Sequence, residues 1–117
     1  MTTPAQADQL LRTNLERVFN ERDASKRLEA IRSVYEPDAV VHDPEGSVTG
    51  HDAINALVTN LQKTLPPNFA FVPEGSALSH HGTAMLRWHA SPAKLTGFDV
   101  AQLRNDRIAV LHVFISN

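Results

Sequence analysis

The sequence predicts an α+β fold, with three N-terminal helices packed on one face of a curved, mainly antiparallel sheet. Two observations carry this expectation. Before Pro67, apolar residues recur at helical spacing, with one strand-like interruption, "AVVHD" at residues 39–43. After Pro67 the period changes to short apolar or alternating runs separated by turns. The order is helix, helix, strand, helix and then a meander, which places the helices together over the sheet.

The first helix starts at Thr3-Pro4-Ala5-Gln6, a hydroxyl cap, a proline at the first helical position and a glutamine placed for a capping box. Leu11, Leu15, Val18 and Phe19 share its apolar face. Asp23 or Ser25 caps a second helix, with Leu28, Ile31, Val34 and Tyr35 as its stripe and Pro37 as its end. "AVVHD" then reads as a lone strand. A third helix follows Gly50; Ile54, Leu57, Val58, Leu61 and Leu65 give it the clearest periodicity, and Pro66-Pro67 stops it. "FAFVPEG" reads as a short strand broken by Pro73. "TAMLRWHA", "LTGFDVAQL" and "RIAVLHVFIS" are longer strands, the last so apolar that burial on both faces is expected.

The length of 117 residues suits one domain, residues 1–117, around one core. Net charge is −2 and no basic run is present, which disfavours nucleic-acid binding. There is no cysteine, and no apolar stretch approaches the roughly 20 residues of a membrane span. The N-terminus reads as a helix start rather than an export signal, so the cytoplasm is the expected location. Six histidines occur without HxH, HxxxH or HExxH spacing, and neither a GxGxxG loop nor a GxSxG elbow is present. No metal or cofactor is expected.

Strand pairing suggests a site. A two-residue Asn105-Asp106 turn pairs Arg104 with Arg107 and, counted back without interruption, sets Asp99 against His112 and Gly97 against Phe114. A four-residue loop from Ser91 to Lys94 sets Trp88 against Gly97 and Leu86 against Asp99. An acid and an imidazole would then lie side by side on an apolar sheet face. The apolar wall would raise the Asp99 pKa while the imidazole favours its ionised form. On "AVVHD", His42 and Asp43 point to opposite faces of a regular strand, so one faces inward and the other serves the turn at Pro44.

The stretches "YEPDAVVHDPEG", "VTGHDAI" and "GFDVAQLRNDRIAVLHVFI" resemble the NTF2-like superfamily, in its SnoaL-like and ketosteroid isomerase-like branch. The resemblance covers nearly the whole chain. It implies a cone-shaped fold with a deep apolar pocket and a homodimer formed through the outer sheet face. It also implies a general base at the acid of the "DP" dipeptide, here Asp43, and an oxyanion hydrogen-bond donor at the acid of "GFDVAQL", here Asp99. The branch also carries a tyrosine on its first helix, where this chain has Leu15 and Phe19; its single tyrosine is Tyr35.

Together these readings suggest a protein that holds a small apolar molecule and moves a proton without a cofactor, as an isomerase, cyclase or epoxide hydrolase does. Asp43 or His42 would be the base. Asp99 with His112 would be acid and charge stabiliser. Trp88, Leu86, Phe19, Tyr35 and Phe114 would be the walls. The alternative is a non-catalytic binding or dimerisation module, in which Asp99 and His112 merely satisfy each other.

Overall fold

The computed structural model describes residues 1–92 and 94–116. Helix α1 (Pro4–Thr13) begins with the expected capping box: Thr3 accepts from the Gln6 amide, and the Gln6 side chain accepts from the Thr3 amide. It runs directly into a π-helical segment, Asn14–Phe19, which closes when the Asn20 amide donates to the Leu15 carbonyl. Asn20 then pairs its side-chain amide with both backbone groups of Phe71, at 2.8 Å each, and so moors the helix end to the sheet.

Helix α2 (Ala24–Val34) is capped by Asp23, whose carboxylate accepts from the Ser25 and Lys26 amides. It ends one residue before Tyr35, which opens strand β1 (Tyr35–Asp43) instead of completing the helical stripe. Strand β1 is not alone: it turns at Pro44 into β2 (Gly46–Thr49) and pairs with it antiparallel. Helix α3 (His51–Lys63) follows Gly50 as expected but is already capped at Thr64, so Leu65, expected in its stripe, lies beyond the helix. Arg27, 1% exposed, ties α2 to α3 by donating to Asn55, Thr59 and Gln62 and to the Glu21 carbonyl.

Strands β3 (Ala70–His80), β4 (Thr83–Ser91), β5 (Leu95–Arg104) and β6 (Arg107–Ser116) form the meander. The sheet order is β2-β1-β6-β5-β4-β3, antiparallel throughout except for the β1–β6 pair. Pro73 does not break β3. The strand continues past it, with an irregular stretch between Glu74 and Leu78. There α1 supplies the missing partners: the Asp8 carboxylate accepts from the Ala77 amide, and Arg12 donates to the Gly75 carbonyl.

The β4–β5 register is the expected one, with Trp88 opposite Gly97 and Leu86 opposite Asp99. Of the four-residue loop between them, Ala93 lies outside the described residues. The β5–β6 hairpin also turns as expected at Asn105 and Asp106, both left-handed with φ 55° and 60°. Arg104 faces Arg107 and Leu103 faces Ile108, but Gln102 then faces Val110. Ala109 is therefore an extra residue, a β-bulge, and it moves every later pair by one. Ala101 faces Leu111, Asp99 faces Val113, and Gly97 faces Ile115.

Strand β6 is thus not buried on both faces. Ile108 and Leu111 are buried, while Phe114 is 55% exposed. Among the described residues, no helix is long and apolar enough to cross a membrane.

Candidate functional site

A cavity of about 400 Å³ opens between the helices and the concave face of the sheet. That volume lies in the range of small-molecule sites. The π-helical segment contributes Leu15 and Phe19, α3 contributes Leu57, Asn60 and Leu61, and its C-cap Thr64 lies beside them. Phe69 and Phe71 form an aromatic wall with Trp88, each neighbouring pair meeting edge-on with ring centroids 5.0–5.1 Å apart. Val113 and Ile115 line the cavity from β6, where the bulge has turned them inward. Asp43, Pro44 and Glu45 lie along its lining at the β1–β2 turn.

Asp99 is the buried polar group of this surface, 2% exposed. Its Oδ1 accepts from the Trp88 indole at 3.1 Å, and its Oδ2 accepts from the Asn14 side-chain amide at 3.4 Å. The Asn14 carbonyl in turn accepts from the Tyr35 hydroxyl at 2.6 Å. Asn14 and Tyr35 are both fully buried. Burial raises the Asp99 pKa to about 7, against the lowering effect of the Trp88 and Asn14 hydrogen bonds. Burial, and then the nearby Asp99 charge, push the Tyr35 hydroxyl well above its usual range. A carboxyl poised near neutrality can both give and take a proton there.

Gly97 makes room for this arrangement. A Cβ at that position would collide with the Trp88 ring and the Phe114 carbonyl. The indole therefore packs against the glycine, and its N–H reaches Asp99.

The expected Asp99–His112 pair does not form. The bulge at Ala109 sends His112 to the outer face, where it faces Val100 across the hairpin and stacks on His42 with ring centroids 4.8 Å apart. The physical gain is plain: one ionisable group is desolvated in the cavity wall rather than two. Phe114 also lies on the outer face, stacked beside His112, and is not a cavity wall. His42 points outward too, with Nδ1 2.6 Å from the Ser47 hydroxyl. Asp43 is the inward member of "HDP". It lines the cavity and serves the turn, its Oδ1 accepting from the Glu45 and Gly46 amides at 2.9 Å each.

Of the expected walls, Phe19 and Trp88 line the cavity. Leu86 is fully buried and is not part of the lining, and Tyr35 is linked to the cavity through Asn14 and then Asp99. Asn14 was not legible as a site residue, although a signal exists. It sits three residues after Leu11, on the face that the apolar stripe buries.

A profile of the SnoaL-like domain matches residues 14–111. The chain belongs to the SnoaL-like family. Solved structures share the fold of this SnoaL-like chain. A proposed isomerase of the SnoaL-like family from Agrobacterium tumefaciens superposes with a TM-score of 0.87 at 23% identity, covering 97% of this chain and 99% of that one. A proposed ketosteroid isomerase from Kribbella flavida gives 0.75 at 14% identity, covering 100% and 82%. A de novo designed protein with a curved β-sheet also gives 0.75, at 9% identity, covering 97% and 88%. A comparison with curated proteins finds no match. The SnoaL-like fold does not by itself carry a reaction.

Proposed function

We propose that this SnoaL-like protein binds a neutral, mainly apolar small molecule with a carbonyl oxygen and catalyses proton transfer on it without a cofactor. The observation that supports this most is Asp99, a buried carboxyl poised near neutrality in the wall of an aromatic-lined cavity. Asp43 presents a second carboxyl to the same space. In this reading Asp43 takes a proton from the carbon beside the carbonyl, and the C–H electrons move toward the oxygen. Asp99 donates a hydrogen bond to that oxygen as its charge grows. Returning the proton to another carbon gives isomerisation; attack of the enolate on a second carbonyl gives ring closure. Two copies would pair through the outer sheet face, where Phe114 and Met85 are exposed near the stacked histidines.

A second reading is a binding protein without catalysis. It is favoured by the two turn amides already held by Asp43. Deuterium exchange separates the two. Incubated with 2-tetralone in heavy water, the protein should speed deuteration beside the carbonyl, and Asp43→Asn or Asp99→Asn should slow it by roughly 100-fold or more. Quenching of Trp88 emission without faster exchange would favour the binder. Neither quenching nor exchange would contradict both readings for this class of ligand.

A further inference from the structure

We propose that Asn14, oriented by the Tyr35 hydroxyl, is a positioning residue that turns the acidic proton of Asp99 toward the cavity, so that the site selects ligands presenting a neutral acceptor oxygen. The inference rests on the reading above, in which Asp99 faces the ligand.

The hydrogen-bond senses carry the argument. The Trp88 indole can only donate. Asn14 can present either its amide nitrogen or its carbonyl to Asp99, and the Tyr35 hydroxyl decides which. That hydroxyl is fully buried, and the Asn14 carbonyl is the acceptor it reaches, at 2.6 Å. Turning the amide over would leave the buried hydroxyl proton without that acceptor, which is unfavourable for a group out of reach of water. With the amide held in place, both groups bonded to Asp99 are donors. A proton carried by Asp99 has no acceptor in either of them, and the remaining direction is the cavity that Asp99 lines. An acceptor oxygen on the ligand satisfies it.

The other charged groups of the lining agree with a neutral ligand. Asp43 and Glu45 lie at the β1–β2 turn, and among the described lining residues there is no Lys, Arg or His to receive an anion. Tyr35 on β1 is the further titratable group near Asp99, one residue removed through Asn14.

The test is the pH dependence of 1-tetralone binding, measured by calorimetry on the wild type, Tyr35→Phe and Asn14→Asp. Alongside it, the Trp88 indole N–H resonance reports the ionisation of Asp99 without ligand. The wild type should bind best below a midpoint near the Asp99 value of about 7. Affinity should fall about tenfold per pH unit above it, as expected when only the protonated form binds. In Tyr35→Phe the Asn14 carbonyl becomes free to accept the Asp99 proton. The midpoint should then rise, and affinity below it should drop several-fold. Asn14→Asp traps the proton between two carboxyls and should do the same.

A purely structural Tyr35 would leave the midpoint where it is in the wild type. That result, with pH-dependent binding intact in the wild type, would overturn this inference and leave the functional reading standing. Wild-type binding that ignores pH, or no binding at all, would overturn both.

Discussion

Asp99→Asn should remove a loss of stability that the wild type suffers as pH rises from about 4 to about 7. The sign follows from proton binding. The Asp99 pKa is raised from 3.8 in a free carboxyl to about 7 in the folded chain. Between those values the native state holds a proton that the unfolded chain has released, so stability falls with rising pH. The contribution is fully present below about pH 4 and gone above about pH 7. At about 1.36 kcal/mol per pKa unit, ionising the buried group costs about 4 kcal/mol of stability. Asparagine has the same shape and no charge to bury. Denaturant unfolding of both proteins at pH 4.5, 6, 7 and 8 measures the difference. Its variation with pH isolates Asp99 from the histidines and surface carboxylates, which both proteins share. The variant should gain on the wild type by about 3 kcal/mol between the ends of this range, because part of the loss has already occurred at pH 4.5. A constant difference would mean that Asp99 ionises as freely folded as unfolded.

The second large effect is steric. Gly97→Ala places a methyl group where the Trp88 ring and the Phe114 carbonyl already lie. One of these obstacles is backbone in the β5–β6 ladder, so a side-chain rotation cannot relieve it. Trp88 is 1% exposed and wedged between Phe71 and Asp99, so it has little room to retreat. Overpacking of this kind costs about 3 kcal/mol, corresponding to a fall in Tm of roughly 10 °C. The Trp88–Asp99 hydrogen bond should weaken with it, shifting the indole N–H resonance even at temperatures where the variant is folded. Wild-type stability with an unchanged resonance would show that the indole does not depend on the space over Gly97.

Much of the architecture was legible in local chemistry. The capping box at Thr3, the Asp23 cap, the α3 stripe and the Asn105-Asp106 turn are short-range signals, and each formed as expected. The β4–β5 register followed from its loop length. What escaped was the bulge at Ala109. The run "IAVLHVFI" has no strict alternation, so its pattern does not reveal where an extra residue enters. One unpaired alanine was enough to move His112 and Phe114 out of the expected site and bring Val113 and Ile115 in. Asp99 and Trp88 were placed correctly because β4, not β6, sets their register. Their long-range partner Asn14 is 85 residues away along the chain from Asp99, and no local pattern links the two. Strand β2 was missed because "GSVT" is too short and too polar to announce itself.

Burial in the cavity wall holds the Asp99 carboxyl near neutrality. Its own hydrogen-bond donor, Trp88, the single tryptophan of the chain, reports that state. A pH titration of the indole N–H resonance from pH 3 to 9 should show one main transition near 7, absent in Asp99→Asn. A transition near 4, or one near 7 that persists in Asp99→Asn, would contradict the account.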